Sequence, residues 1–578
     1  MSEDANRSPV AARRLRWALP VVLLALHAAL LATSVSRKTA TVDEFIHVPA
    51  GVYYWHSGDF SLNGLNPPLA KLWMALPVLP MHLDAPVAAS PRFRGRDYEW
   101  DYGRVFLAKN EAAYDAMIAR ARASVMALSV LAGLLLFLLA RRAMGFWCAT
   151  LALALYAVNP DVIAHGSLAT QDVAMMLATL WVLVAFDGLG RRGSWWRVAA
   201  LGVALGAACL VKFTGLLLAL VLPLAFAAGV AFMGDFRLPL VVPLEGRFAK
   251  GRPRTAWRSF VALVAVALVA LLVVNSLYGF RGTCRRLDPG ALASDAMQSV
   301  ARSPLGALPV PLPADYVAGL DGQQADVELC DTVNYLNGVW SKTGWWYYYI
   351  EAFALKTPPA VLVLSLLGVV SLFVVRPERR TLAATLVVTA ALFWAVNSFS
   401  NKQLGLRYLL PVLPLVFMLA GRSALIAAKL PKAWAVALAV VLVLLAGWAG
   451  ADAVAIHPEY LAYFNPIAGG PAGGPRYLLD SNIDWGQDLA GLGDWLRREN
   501  VPDPVYLAYF GEVPPAHCGI HARRVWRGAV GTVAVSVNYL YGMPYRENRQ
   551  DEFVWLRDRA PVAVIGHTIY VYRMERPW

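Results

Sequence analysis

Two adjacent carboxylates, Asp43 and Glu44, follow the first long apolar stretch of the chain. An aspartate in such a position can act as a general base that accepts the proton of a hydroxyl group. The same pattern also fits an acidic pair that is simply solvated at the start of a helix. A third carboxylate, Asp172, precedes another apolar run, where it could either face a site or interact favourably with the helix dipole. Asp43 and Asp172 could also share a divalent cation, so a metal site is neither assigned nor excluded.

Four basic residues stand at the ends of apolar runs and could hold a phosphate group as it leaves a substrate. The alternative for each of them is a long side chain that reaches toward lipid headgroups. Together they would place several cations at one depth, on the side of Asp43 and Asp172. They are Lys71, Lys212, Lys356 and Arg407.

The elements that must position these residues are membrane helices. Of the 578 residues, 58% are hydrophobic and 16% are charged, whereas soluble proteins carry about 25% charged residues. Apolar runs of about 20 residues recur, and each can cross a bilayer. The first run lacks a convincing cleavage site, so we interpret it as a retained helix. We predict a polytopic α-helical membrane protein with about eleven spans, at 17–35, 122–140, 146–163, 172–187, 197–211, 213–233, 259–277, 357–375, 381–397, 407–421 and 433–451.

The positions of the basic residues predict the orientation of these spans. The net charge of +13 does not indicate a nucleic-acid partner, because the basic residues cluster in short connections between apolar runs, where cytoplasmic loops carry them. With eleven spans, residues 1–16 and all of these clusters lie on the cytoplasmic side. The loop with Arg92, Arg94 and Arg96 is an exception that its length explains, since long loops translocate regardless of charge. The membrane domain is then 17–451, with outer loops 36–121 and 278–356 and an outer tail 452–578.

The tail alternates extended and helical patterns, which predicts a small α/β domain. Within it, Asp484 and Gln487 fit an N-cap and its capping partner for a helix over 489–499. A second helix is predicted over 549–558, and a disulfide between Cys284 and Cys330 is as compatible with the sequence as two free thiols. Strands are predicted at Val505–Phe510, Thr532–Val537, Val562–Ile565 and Ile569–Tyr572.

Two stretches resemble a known family. The Asp-Glu pair, the aromatic run at 53–55 and the segment from Asn66 to Lys71 resemble the first outer loop of protein O-mannosyltransferases and bacterial lipid A aminoarabinose transferases. These belong to glycosyltransferase family 39, within superfamily C. The stretch 480–488 is similar to one found in bacterial relatives of the mannosyltransferases. The chain departs from the pattern at Asn66, where mannosyltransferases carry histidine, and this puts a role of that position in doubt.

The resemblance implies roles for these residues. Asp43 would be the general base, Glu44 would orient the acceptor or help to bind a cation, and Asp172 would face the same cavity. The four basic residues named above would bind the phosphate of the donor. Contact with the acceptor or glycan is suggested for Asn66, Asp480, Asn482, Asp484 and Trp485.

The predicted function is therefore transfer of a sugar, with inversion, from a polyprenyl-phosphate donor to an unknown acceptor at the periplasmic face of a bacterial inner membrane. No cytoplasmic loop is large enough for a nucleotide-sugar site, and Walker, dinucleotide, zinc and Ser-His-Asp patterns are not evident. Two alternatives stay open. A flippase or transporter would need charged or broken helices and repeated halves, and a non-catalytic glycan-binding protein would not need the carboxylates.

Overall fold

The computed structural model describes residues 10–87, 98–232, 236–239, 251–329, 333–526, 528–544 and 552–577. Arg92, Arg94, Arg96 and Cys330 lie outside these residues, so pairing of Cys330 with Cys284 stays a prediction.

The described chain is mostly helical. Its α-helices are α1 (Val10–Ser34), α2 (Val42–Ser57), α3 (Leu69–Ala75), α4 (Tyr98–Lys109), α5 (Tyr114–Met144), α6 (Phe146–Ala157), α7 (Pro160–Gly166), α8 (Asp172–Arg192), α9 (Trp195–Val211), α10 (Leu216–Ala231), α11 (Gly251–Leu277), α12 (Asp295–Arg302), α13 (Ala314–Leu329), α14 (Tyr348–Lys356), α15 (Pro359–Val374), α16 (Arg380–Ser398), α17 (Leu413–Arg422), α18 (Lys432–Ile456), α19 (Gly470–Gly473), α20 (Leu489–Arg498) and α21 (Val537–Leu540).

Seven helices of the described chain, α1, α5, α8, α10, α11, α16 and α18, are long and apolar enough to cross a membrane. The number becomes nine if each of two bent pairs is one span. These pairs are α6 with α7, bent by 63°, and α14 with α15, bent by 116°. The predicted class of polytopic membrane protein is confirmed, whereas the count of eleven stays a prediction. Two predicted spans fold as short helices, α9 with 17 residues and α17 with 10.

The first outer loop folds back on the membrane helices through α2, α3 and α4. Thr41 precedes α2 in an extended conformation, and its backbone N–H donates to the carboxylate of Glu44 at 2.9 Å, which is the reciprocal half of a capping box. α2 lies close to α3 at Gly51. A side chain there would place its Cβ 2.2 Å from the carbonyl oxygen of Lys71, so the approach requires glycine.

The tail contains a small mixed sheet packed on short helices, as predicted. Its helix α20 begins at Leu489. Three features differ from the prediction: the strand β4 was not expected, a 3₁₀ turn at Val554–Asp558 stands within the predicted second helix, and a two-stranded antiparallel hairpin lies in the preceding outer loop. The strands are β1 (Asn334–Leu336), β2 (Val339–Ser341), β3 (Val505–Ala508), β4 (Ala522–Arg524), β5 (Gly531–Ser536), β6 (Ala563–Ile565) and β7 (Ile569–Met574), and the sheet has the order β4-β3-β5-β7-β6.

The capping role predicted for Asp484 and Gln487 is wrong. Asp488, not Asp484, immediately precedes α20, and its side chain makes no capping hydrogen bond. The Ala490 N–H, in the first turn of α20, donates to the Thr39 hydroxyl at 2.9 Å. Asp484 instead accepts hydrogen bonds from the Gly486 N–H and the Ser536 hydroxyl. The Gln487 side chain accepts from the Trp485 N–H at 2.8 Å. The sequence spacing suited a cap, but tertiary contacts with β5 hold the segment in a compact turn.

Candidate active site

Asp43 lies in the first turn of α2 and forms an ion pair with Arg407. The two meet at 2.7 Å, from Arg407 Nη1 to Asp43 Oδ2, although they are far apart in the chain. Arg407 belongs to a 3₁₀ turn, Leu406–Leu409, that precedes α17. One quarter of the Asp43 side chain is exposed, whereas only 10% of the Arg407 side chain is. The carboxylate can therefore be reached by another molecule while the guanidinium is held in place.

Asp172 and Lys212 extend the ion pair between Asp43 and Arg407. Arg407 Nη1 lies 3.7 Å from Asp172 Oδ2, and Lys212 Nζ donates to Asp172 Oδ1 at 2.7 Å. The ring of Tyr408 lies beneath both cations, 4.7 Å from Lys212 Nζ and 5.3 Å from the Arg407 guanidinium carbon. We call Asp43, Arg407, Asp172 and Lys212 the outer ion chain, in which acid and base alternate.

The outer ion chain lies at one end of the apolar helices. Asp172 is the first residue of α8, and the last turn of that helix carries Arg191 and Arg192. The negative charge lies at the positive N-terminal end of the helix dipole and the positive charges lie at its negative C-terminal end, and both interactions are favourable. α8 has the composition and length of a membrane span. The ion chain and one of the basic connections therefore stand at opposite ends of the same span.

Glu44, one residue after Asp43, has a different environment. Its carboxylate is fully buried and accepts from Arg122 Nε and Nη2, both at 2.8 Å, and from the Ala169 N–H at 2.7 Å. Thr41 adds its N–H and its hydroxyl. These bonds leave no exposed surface on Glu44, and its expected role toward an acceptor or a cation stays a prediction. The same bonds tie α2 to α5 and to the loop before Asp172.

Lys71 and Lys356 do not join the outer ion chain. Lys71 Nζ is fully buried and donates to the carbonyl oxygens of Asn63 and Asn66 and to the Tyr54 hydroxyl. Lys356 Nζ donates to the carbonyls of Leu461 and Asn482, and Asp161 Oδ1 lies 3.6 Å away. These contacts occupy both ammonium groups. Lys212 and Arg407 stand beside the carboxylates, whereas Lys71 and Lys356 do not, and the contact of all four with a donor phosphate stays a prediction.

The five residues suggested as acceptor contacts are mostly enclosed by the protein. Asn482, Asp484 and Trp485 are at most 2% exposed, and a buried side chain cannot meet an acceptor without rearrangement. The Asp480 carboxylate accepts from the Ser481 N–H. Among the described residues, the side-chain oxygen of Asn66 is buried without a hydrogen-bond partner. Asn482, Asp484 and Trp485 contact other parts of the site, and their contact with an acceptor stays a prediction.

Three residues that were not among the predicted site residues, His47, Gln171 and Arg122, lie in or beside the site. His47 lies one helical turn after Asp43, and burial lowers its pKa to about 4, so the ring is neutral. Its Nε2 lies 3.4 Å from the side-chain nitrogen of Gln171. The i, i+4 spacing from Asp43 was a signal for His47. Arg122 had no such signal, because its partner Glu44 is 78 residues away.

Opposing effects act on the ionisation of Asp43. Burial opposes the charged form, but the charge of the Arg407 guanidinium and the hydrogen bond from Arg407 outweigh it, and the pKa of Asp43 is held below its usual range. Asp43 is therefore a carboxylate at neutral pH. This is the protonation state that a general base needs before it accepts a proton.

A divalent cation shared by Asp43 and Asp172 stays a prediction. The Arg407 guanidinium already lies between the two carboxylates and contacts both. In the part of the chain that the structure describes, no group of three or more histidine, cysteine, aspartate or glutamate side chains is arranged to hold a metal. Arg407 and Lys212 supply positive charge beside the carboxylates of Asp43 and Asp172.

Comparison with protein families supports the resemblance. Residues 17–277, a little under half of the chain, match the family model described as dolichyl-phosphate-mannose-protein mannosyltransferase. The matched region includes Asp43, Asp172 and Lys212 but neither Arg407 nor the tail. The resemblance seen in the first outer loop is thereby confirmed for this region. A search of curated proteins found no significant match.

Several solved structures are similar to the chain. ArnT from Cupriavidus metallidurans bound to undecaprenyl phosphate has 14% identity and a TM-score of 0.48, covering 95% of this chain and 97% of that one. The archaeal oligosaccharyltransferase AglB from Archaeoglobus fulgidus, in complex with an inhibitory peptide and a dolichol-phosphate, has 12% identity and a TM-score of 0.49, covering 85% and 59%. The S. cerevisiae protein O-mannosyltransferase Pmt1-Pmt2 complex bound to the sugar donor has 16% identity and a TM-score of 0.29, covering 45% and 33%. With TM-scores below 0.5, these likenesses carry no argument about chemistry.

Proposed function

We propose that this protein is a membrane glycosyltransferase that moves a sugar from a polyprenyl-phosphate donor to an acceptor hydroxyl, with inversion, at the periplasmic face of a bacterial inner membrane. The observation that carries the proposal is the outer ion chain. It combines a partly exposed carboxylate, Asp43, with two cations, Arg407 and Lys212, at one end of apolar helices. The family match over 17–277 supports the same class of reaction.

Asp43 is the general base in this proposal. The acceptor oxygen attacks the anomeric carbon of the donor sugar, and Asp43 takes the hydroxyl proton as the new bond forms. The bond between the anomeric carbon and the phosphate oxygen breaks, and its electron pair leaves with the polyprenyl phosphate. The ion pair with Arg407 keeps Asp43 ionised, while its exposed quarter leaves room for the acceptor.

Lys212 and Arg407 stabilise the departing phosphate. Negative charge grows on the phosphate as the bond breaks, and fixed cations stabilise that charge more in a site with little water. Lys212 is 16% exposed and stands at the far end of the outer ion chain from Asp43. The separation of Lys212 from Asp43, with Arg407 between them, supports a single displacement, in which the acceptor and the leaving phosphate lie on opposite sides of the sugar.

An assay of lipid release tests the proposal. The purified protein in proteoliposomes is incubated with a lipid and glycan extract of the source cells, which supplies the native donor and acceptor. Mass spectrometry follows the loss of polyprenyl-phosphate sugar and the gain of free polyprenyl phosphate. We expect the Asp43→Asn protein to fold and to bind undecaprenyl phosphate, but to lose turnover by on the order of 10²- to 10⁴-fold, the usual contribution of a general base.

Asp101→Asn is the matched control, because Asp101 is an exposed carboxylate of the same loop that pairs with Arg104, away from the outer ion chain. It should turn over at the wild-type rate. No gain of free polyprenyl phosphate with the wild-type protein would refute the proposed function, and near-normal turnover of Asp43→Asn would remove Asp43 from its role. Movement of the intact donor between leaflets, without release of its sugar, would favour a flippase. Glycan binding without turnover would favour a non-catalytic protein.

A further inference from the structure

The segment 480–488, which we call the tail turn, lacks the exposure that a ligand-binding stretch requires. Asn482, Asp484, Trp485 and Gln487 are each at most 4% exposed. Buried polar groups need partners, and several partners of the tail turn lie in the segments that carry Arg407 and Asp43.

On one side, the tail turn holds the segment that carries Arg407. The backbone N–H of Leu406 donates to Asn482 Oδ1 at 3.0 Å, and the Ser481 hydroxyl donates to the carbonyl of Leu404. The indole of Trp485 lies 4.2 Å from the Arg407 guanidinium carbon. A guanidinium above an aromatic face is attracted by the ring electrons, and the attraction grows when water is excluded. Backbone and side chain of this segment are therefore both fixed by the tail.

On the other side, the tail turn holds the backbone just before Asp43. The N–H of Val42 donates to the carbonyl of Trp485 at 3.0 Å, and the N–H of Thr39 donates to the carbonyl of Gln487 at 2.8 Å. Trp485 thus contacts Arg407 directly through its ring, and its carbonyl accepts from Val42, the residue before Asp43.

The sheet of the tail makes the turn rigid. Ser536, at the end of β5, donates to the Asp484 carboxylate. Asn538 donates to the Asp484 carbonyl at 3.1 Å and accepts from the Asp480 N–H at 2.9 Å. The turn is therefore attached to a folded domain.

We propose that the tail turn is a positioning element for the reaction, in which Trp485 sets the Arg407 guanidinium against the Asp43 carboxylate. Arg407 and Asp43 are 364 residues apart, so local sequence cannot fix the distance between them, and the turn bridges the two segments. The inference rests on the proposed function and goes beyond it, because it gives the tail a part in the reaction without contact with substrate.

The readout is the pH dependence of turnover, which reports the ionisation of Asp43. Loss of the Arg407 contact would raise the pKa of Asp43, so the acid limb of kcat/KM would move to higher pH. Other charged and titratable groups also act on Asp43 and stay in place in the variants. These are Asp172 and His47, Lys71 and Glu99 of the first outer loop, and Asp480 of the tail turn.

The experiment compares three variants in the proteoliposome assay. Trp485→Met keeps the apolar bulk but removes the aromatic face. We expect kcat to fall roughly tenfold, the effect of losing a desolvated cation–π contact, with the acid limb shifted to higher pH. Trp485→Phe restores an aromatic face and should recover most of the rate and the wild-type acid limb. Trp495→Leu removes a half-buried tryptophan of α20 outside the tail turn, and it should leave the acid limb unchanged.

Should the Trp485→Met protein fail to fold, Tyr348→Phe tests the same turn, since it deletes only the hydroxyl that contacts Asn482 Nδ2 at 3.0 Å. It should shift the acid limb in the same direction by less.

The inference is overturned if neither variant shifts the acid limb, or if Trp495→Leu shifts it equally. These results leave the proposed function intact, because wild-type turnover is measured in the same assay. An absence of wild-type turnover would instead refute the proposed function, and this inference with it.

Discussion

Asp43 and Glu44 are neighbours in one helical turn, yet they belong to two different kinds of ion pair. The outer ion chain gives Asp43 one guanidinium partner at 2.7 Å and leaves a quarter of its side chain exposed. The Glu44–Arg122 pair is almost fully enclosed, and Glu44 accepts five hydrogen bonds. The difference shows that Asp43 remains accessible to a substrate because Glu44, its neighbour, makes the hydrogen bonds that hold the loop in place.

The two pairs also differ in how they can respond to a ligand. Arg407 contacts two carboxylates and Asp172 contacts two cations, so these two inner members of the outer ion chain keep one partner when a phosphate competes for the other. Among the described residues, the ion pair between Arg122 and Glu44 has no second charged partner, so removal of either side chain leaves the other charge buried with only neutral hydrogen-bond partners. We therefore expect substitutions in the outer ion chain to affect turnover first, and substitutions in the Glu44–Arg122 pair to affect folding first.

The largest effect on stability is expected from Arg122→Met. It leaves the Glu44 carboxylate buried without its cation, and breaking a buried pair in this way costs about 3–5 kcal/mol. Thermal unfolding in detergent should show a strongly reduced midpoint. Arg407→Met should unfold close to the wild type, since Asp172 keeps Lys212 and Asp43 keeps access to water, although its turnover should be severely reduced. Equal losses of stability in the two variants would contradict the comparison.

A smaller effect, on binding of the donor, is expected from Lys212→Met. The ammonium is placed to meet the donor phosphate but lies away from Asp43, so the KM for the donor should rise by about tenfold, the equivalent of about 1.4 kcal/mol, with a smaller change in kcat. Asp43→Asn should show the reverse pattern, a low kcat with a nearly unchanged KM. Steady-state kinetics of polyprenyl phosphate release separates the two. If KM for the donor rose in Asp43→Asn and not in Lys212→Met, the roles proposed for Asp43 and Lys212 would have to be exchanged.

The smallest effect concerns the tail and its dependence on pH. Burial raises the pKa of Asp484 to about 7, whereas an aspartate in the unfolded chain titrates near 4. The folded protein therefore holds this proton more tightly, and its contribution to stability is complete below about pH 4 and is lost as the pH rises through about 7. Melting temperatures measured from pH 4 to pH 8 should fall less steeply for Asp484→Asn than for the wild type. Asp494→Asn, which changes an exposed carboxylate of α20, should keep the wild-type slope.

Sequence reasoning succeeded where the physical signal was local. Apolar runs revealed the membrane class, and alternating patterns located four of the five strands of the tail sheet. The roles of individual residues were harder to predict. A capping box was expected at Asp484 but found at Thr41 and Glu44, because the same residue types can bond to near or distant backbone. Lys71 and Lys356 resembled interfacial cations in sequence, yet both bind carbonyl groups in the interior.

The sequence by itself determined that this chain crosses a membrane several times and that Asp43, Asp172, Lys212 and Arg407 stand at the ends of apolar runs, because these properties depend on neighbouring residues. Only the tertiary structure decided that these four side chains form one chain of alternating charge, while Glu44 turns to Arg122. Contacts between residues hundreds of positions apart leave no spacing pattern in the sequence. They arise when helices pack together and the tail turn closes over Arg407.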